Sequence, residues 1–292
     1  MTTTLTDPPV RHLVLGANLA HLRTRCAVSP VHAAAAARAG TDELFRWESG
    51  QAPPPEQALQ HLMHLYNQPP ELFEVLARWA TTTGEDSTPH ALLDTAAGWQ
   101  ARLSATELHA VRVRAFSNYS VPALVRSRAY ADHLERMRSG VLPGLAAEQR
   151  WPRPVVTGPH SWKHVDIILD ASVLTRPFDV EAGNLEPLAD QLKHLVKVAY
   201  GELADIRIIS TATDYSVDVG DGDLLGLTLP APPSPTVWVQ VTRGSVTYLN
   251  GPQGQDHLAA FEKLSRRAET RPASAVLLHE AAARTAREGA EK

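Results

Sequence analysis

The apolar residues of this 292-residue chain change their period partway along, and that change sets what the chain can fold into. Up to about Ala80 they recur at helical spacing. Leu15, Leu19 and Leu22, at i, i+4 and i+7, share one helix face. Later the runs are short and rich in β-branched residues: His164 to Leu169, Ile206 to Ser210, Leu224 to Leu229, Val237 to Val241 and Val246 to Leu249 read as strands. Leu185 to Tyr200 separates the first two as an amphipathic helix carrying Leu188, Leu192, Leu195, Val196 and Ala199, and Gly254 to Arg287 reads as helical. The pattern predicts an α+β chain of two domains. An all-helical head of about five helices spans residues 11–80, and a helical segment plus a mixed α/β sheet domain spans 90–287. Between them Thr81 to Pro89, TTTGEDSTP, breaks the periodicity and reads as a linker. His90 to Met137 is expected to be a second helical region, interrupted at Pro122.

Several classes are excluded early. No run approaches the roughly 18 to 20 apolar residues that cross a bilayer, and the first residues lack a basic start and an apolar core, so a cytoplasmic protein with no membrane partner is expected. The single cysteine, Cys26, cannot form an intrachain disulfide and is expected to be a buried or half-buried structural thiol. A net charge of -4 argues against a protein that coats nucleic acid. Residues 1–80 hold six arginines and no lysine against seven acids, so any DNA-reading surface must be small and local.

Within the head, Ser29 stands where it caps a second helix, with Pro30 in the first turn, where a missing N–H costs nothing. Thr41 opens a third helix, with Asp42 and Glu43 facing its dipole, and Gly50 closes it before Pro53 to Pro55. Two further helices follow, Glu56 to Tyr66 and Pro70 to Ala80. Ala33, Ala34 and Ala37 provide the small residues that two crossing helices need. Leu44 and Trp47 are expected to anchor the third helix, leaving Thr41, Asp42, Glu43, Phe45 and Arg46 exposed. The stretch LGANLAHLRTRCAVSPVHAAAAARAGTDELFRWESG resembles the repressor-type, XRE-like helix-turn-helix family common in actinobacterial regulators, with Leu15-Gly16, Leu19, Leu22, Arg23, Ser29, Leu44, Arg46, Glu48 and Gly50 in step. That family has glycine where this chain has Arg38, so the turn is expected to form with glycine moved to Gly40. The resemblance implies a third helix in the major groove of double-stranded DNA and a homodimer on two half-sites, with Arg23, Arg38, Thr41 and Arg46 as candidate contacts.

From Glu107 to Arg284 the chain resembles the uncharacterised α/β domain, DUF5753, that follows such heads. SVPALVRSRAYADHL (120–134), HVDIILDASVLTRPF (164–178), ADIRIIS (204–210) and TVWVQVTRGSVTYLN (236–250) carry the resemblance. It implies a domain that senses a small molecule or a partner protein, and it supplies no catalytic residues. Ligands of such sheets gather beyond strand ends, which makes Asp170, Tyr215, Trp238, Gln240 and Arg243 the candidate pocket. His164 and Asp166 alternate onto one strand face as a pair, and Asp214, Asp218, Asp221 and Asp223 read as a solvated turn rather than a calcium loop, since the closing Glu is absent. There is no Walker loop, no G-x-S-x-G and no zinc-spaced cysteine set, so no cofactor or metal is expected. The expected function is a DNA-binding transcriptional regulator. The alternative is a former regulator recruited as a biosynthetic enzyme, with its active site in the α/β domain and a head that no longer binds DNA.

Overall fold

A computed structural model describes residues 8–81, 89–141, 164–176, 185–201, 204–213, 222–231, 234–242 and 244–290. In chain order the elements are α1 (Val10–Arg25), α2 (Pro30–Ala36), α3 (Thr41–Glu48), α4 (Glu56–Leu65), α5 (Pro70–Thr81), β1 (Ala91–Asp94), α6 (Trp99–His109), β2 (Arg112–Ser117), α7 (Arg128–Val141), β3 (His164–Asp170), α8 (Glu186–Ala199), β4 (Ala204–Ile209), β5 (Leu224–Thr228), β6 (Thr236–Thr242), β7 (Ser245–Leu249), α9 (Gly251–Arg267) and α10 (Arg271–Ala290). An all-helical head of five helices therefore precedes a mixed α/β part, as expected. Most of the expected linker lies outside the described residues.

The head helices start and stop as their sequence dictates. Ser29 Oγ accepts from the His32 N–H at 3.2 Å, and the Gly40 N–H donates to Glu43 Oε2 at 3.0 Å, which caps α2 and α3. The first four helices end alike. Ala27, Arg38, Gly50 and Asn67 adopt left-handed backbone, φ 53°, 56°, 73° and 51°, and the next N–H reaches back five residues: Val28 to Arg23, Ala39 to Ala34, Gln51 to Arg46, Gln68 to Met63. The expected relocation of glycine does not occur. Arg38 itself takes the left-handed conformation, while Gly40 is extended at φ -79°, because the carbonyls of α2 are satisfied only if the residue directly after its last turn reverses hand.

Helix α1 is buried all round from Leu13 to Ala20, as a helix must be when neighbours surround it. One face meets α3 so closely that a Cβ on Gly16 would stand 2.7 Å from the Glu48 carbonyl oxygen. Another meets α6, where Asn18 Nδ2 donates to Thr106 Oγ1 at 3.2 Å and to the Arg102 carbonyl at 3.3 Å. The head accordingly shares one compact unit with residues 89–111 and 226–256. The described residues of 112–141, 164–225 and 257–290 form the second unit.

The seven strands form one sheet in the order β1-β7-β6-β5-β2-β3-β4. In the first unit the ladder is antiparallel, with Ala91 opposite Leu249 and Trp238 opposite both Leu249 and Gly226 on its two sides. In the second it is parallel, with Ser117 beside Leu169 and Asp170 beside Ile209. Strand β3 lies between two parallel neighbours, and Ile167, Ile168 and Leu169 are fully buried, the continuous apolar run that a sheet covered on both faces requires. The outer edge of β4 is covered: the Glu269 N–H donates to the Ile208 carbonyl at 2.8 Å, and Ser274 Oγ accepts from the Ile208 N–H at 2.9 Å.

Two expectations are corrected. The stretch from His90 to Met137 is helical only in part: β1 and β2 flank α6 within it, and α7 begins at Arg128, after Pro122. Four residues of β1 are too few to show a period, and β2 is stabilised by pairing with β3, more than fifty positions away, which no local pattern reveals. Cys26 is exposed rather than buried, because it follows α1 at a turn where the chain leaves the packed face; its Sγ lies 3.6 Å from the Tyr66 carbonyl. Among the described residues no helix is long and apolar enough to cross a membrane.

Candidate nucleic-acid interface and strand-end site

Helix α3 is held by its own apolar stripe. Leu44 and Trp47 are buried, 1% and 5% exposed, while Thr41, Asp42, Glu43, Phe45 and Arg46 face out. The glycine at position 16 lets α3 seat against α1 at backbone distance, and Gly50 does the same at the exit, where a Cβ would stand 2.7 Å from the Leu13 Cα. A bidentate ion pair completes the seat: Arg23 Nε to Glu48 Oε1 at 2.7 Å and Nη2 to Glu48 Oε2 at 2.8 Å. A two-pronged guanidinium–carboxylate contact fixes direction as well as distance, so α3 is oriented before it meets any partner.

The four candidate contacts therefore differ in surroundings. The Arg23 fork is committed to Glu48 and is partly buried, which makes it a positioning group. Arg38 is exposed in the turn entering α3, Thr41 is exposed in its first turn, and Arg46 is exposed in its last. Of the two acids facing the dipole, Glu43 is occupied in capping Gly40.

Of the strand-end candidates, Asp170 belongs to the second unit and Trp238 and Gln240 to the first. Asp170, 3% exposed, ends β3 and accepts from the Ser172 N–H at 2.8 Å, starting a short 3-10 turn over Ala171–Leu174. Trp238 is 1% exposed in the first unit, against Gly226 and Gly254, as core. Gln240 is exposed farther along β6, and Tyr215 and Arg243 lie outside the described residues. At the end of β2 stands a group that the sequence does not advertise. Asp223 Oδ1 accepts from Ser117 Oγ at 2.7 Å and from the Asn118 N–H at 3.2 Å, and Ser117 Oγ lies 2.6 Å from the Ser120 carbonyl. Asp214, Asp218 and Asp221 lie outside the described residues, and among the described residues no cluster of His, Cys, Asp and Glu could hold a metal ion.

Two further polar constellations are completed by residues brought together in the fold. In the first unit Arg102, 4% exposed, makes a bidentate pair with Asp94, 2.7 Å at each prong, and lies 5.8 Å from the Trp79 ring centroid. In the same unit His109 is held down to about 4 by burial, then by His21 and Arg23. In the second unit the expected His164–Asp166 pair forms at 2.8 Å, and Arg112 Nη2 holds the other carboxylate oxygen at 2.7 Å. Period-two alternation makes the His–Asp pair legible; the arginine arrives from β2.

A helical head with an outward-facing third helix, followed by a mixed α/β sheet, defines the class: the architecture is that of a helix-turn-helix regulator with a separate α/β domain. A helix-turn-helix domain model matches residues 14–76, and the model described as a domain of unknown function, DUF5753, matches residues 100–280. The chain belongs to the DUF5753 family. No curated protein matches it. Among solved structures it is similar to one described as TrmBL2, an archaeal chromatin protein with a novel mode of DNA binding, at 9% identity over 86% of this chain and 93% of that one. The TM-score is 0.26, too low to carry fold or function across.

Proposed function

We propose that this chain represses or activates transcription in the cytoplasm as a homodimer, with residues 11–80 laying α3 in the major groove and residues 90–287 sensing a small molecule or a partner protein. The observation that carries the reading is α3 itself: Leu44, Trp47 and the Arg23–Glu48 pair hold it at one angle, and its opposite face presents Thr41, Phe45 and Arg46 to solvent. Arg38 and Arg46, at the two ends of α3, suit phosphates on either side of a groove. Thr41 suits a base edge, and Phe45, 53% exposed, suits a thymine methyl group. One such helix reads too few bases for specificity, which is why a two-fold dimer is part of the proposal.

The test is selection from a pool of randomised duplexes by the full chain, followed by titration of the enriched duplex at two salt concentrations. Enrichment of a paired half-site, together with a shallower salt slope for Arg46→Ala, by about one unit, is the expected result. A pool without enrichment, and identical titrations of wild type and R46A at both salt concentrations, would remove the DNA-binding reading.

A further inference from the structure

We propose that Asp42 is the residue by which α3 chooses its half-site, and that the base it selects is cytosine. The proposal deepens the DNA-binding reading of α3 and rests on it. Successive residues of an α-helix stand about 100° apart around its axis. Measured from Asp42, the buried anchors Leu44 and Trp47 therefore lie at about 200° and about 140°. Their mean direction is almost opposite to Asp42, which makes it the side chain of α3 that points most directly away from the body of the head. Phe45 and Arg46 flank it, at about 60° on one side and about 40° on the other. A helix that enters the major groove by the face opposite its anchors turns this trio toward the groove floor, where the base edges are, and its first-turn residues reach deepest. Asp42 is both central on that face and in the first turn.

The carboxylate of Asp42 is also uncommitted. Glu43 is spent on the Gly40 N–H and Glu48 on Arg23. Asp42 is exposed, and among the described residues no hydrogen bond or ion pair engages it, Arg46 one turn along included. An anion carried into a groove walled by phosphates is repelled and gives up its water, so it favours binding only where a base donates to it.

That requirement selects the base. Two bases offer an amino group to the major groove, cytosine through N4 and adenine through N6, while guanine and thymine present acceptors there. Adenine sets its N7 acceptor beside the amino group, and a carboxylate has two accepting oxygens and no donor to meet it. Cytosine carries no acceptor on its own edge. The ring of Phe45, 53% exposed next to Asp42, suits a thymine methyl group on the neighbouring step. A first-turn acid also favours the helix dipole, but that effect would act on stability and be blind to sequence.

Selection from randomised duplexes by the full chain, run in parallel for wild type, Asp42→Asn and Asp42→Ala, separates the two roles, with thermal melting to show that each variant is folded. Wild type is expected to enrich a half-site holding one invariant C·G pair, and replacing that pair should weaken binding by about tenfold or more. Asp42→Asn, whose amide both donates and accepts, is expected to move the preference at that position from cytosine to adenine, and Asp42→Ala to abolish it, with the other positions unchanged. Folded variants that enrich the same half-site as wild type, or a wild-type half-site with no invariant cytosine, would overturn the proposal and leave the DNA-binding reading standing. Alanine that tightens every duplex equally would overturn it too, since Asp42 would then only repel. If wild type enriches nothing, both fall together.

Discussion

Arg38 is the residue whose conformation and proposed role pull in opposite directions. Its left-handed backbone, φ 56°, costs a side chain about 1 kcal/mol that glycine does not incur. Arg38→Gly is therefore expected to raise stability by about 1 kcal/mol while weakening duplex binding, two effects that a denaturant melt and a DNA titration read separately. If stability and affinity both stay unchanged, neither account of Arg38 holds. Trp47 is the opposite case, a residue whose one role is packing. At 5% exposure it plugs α3 into the head, and Trp47→Ala is expected to cost about 3 to 5 kcal/mol, measured as a drop in the denaturation midpoint. Unchanged stability of W47A would contradict its burial.

At the scale of elements, what matters is how closely α1 and α3 approach. A Cβ on Gly16 meets the carbonyl oxygens of Trp47 and Glu48, backbone atoms that cannot rotate aside. Alanine is the better helix former by about 1 kcal/mol, yet overpacking against fixed backbone costs about 1 to 3 kcal/mol, so the clash wins. Gly16→Ala is expected to lower stability and to tilt α3, with DNA affinity falling more than the melting temperature alone explains. A fully stable G16A that binds duplex like wild type would show that the two helices have room to spare. The element scale also marks where sequence reading stopped. The strands from β3 onward announce themselves by β-branched residues, but β1 and β2, Ala-Leu-Leu-Asp and Arg-Val-Arg-Ala-Phe-Ser, carry no such signal and owe their state to their partners.

For the molecule as a whole, the head and α6 share buried surface. Val10, Leu13, Val14, Ala17 and Ala20 are buried, and Asn18, 3% exposed, spends its amide on Val14, Arg102 and Thr106. Residues 1–81 expressed alone should uncover that face of α1, and are expected to melt lower and less cooperatively than the full chain by circular dichroism. An excised head that melts as the full chain does would contradict this. The same interface predicts an acid limit. His109 is held down to about 4 by burial, His21 and Arg23, His12 to about 4 by burial and Arg11, and His21 is lowered by burial and Arg25, all from 6.5. A histidine whose folded pKa is depressed leaves stability intact above 6.5. As pH falls from 6.5 toward 4, the unfolded chain takes up the protons that the folded one refuses, and stability is lost across that window. Melting temperatures near pH 7 and near pH 5 should therefore diverge, and His109→Gln should narrow the gap; an unchanged gap would exclude His109 as a cause.

Helical period, the cap at Ser29, the anchors Leu44 and Trp47, and the exposed run of α3 were all legible in the sequence, because each rests on neighbours within a few positions of the chain. The His164–Asp166 pair was legible for the same reason, being two residues apart on one strand. What tertiary structure alone decided lies between distant segments. Glu48 claims Arg23 from 25 positions away, Asn18 reaches Thr106 across 88, and Asp223 steadies Ser117 across 106. An arginine looks the same in sequence whether it faces phosphate or a carboxylate. Only the packing of α1 on α3 determines which arginine is committed within the protein and which is presented to a partner.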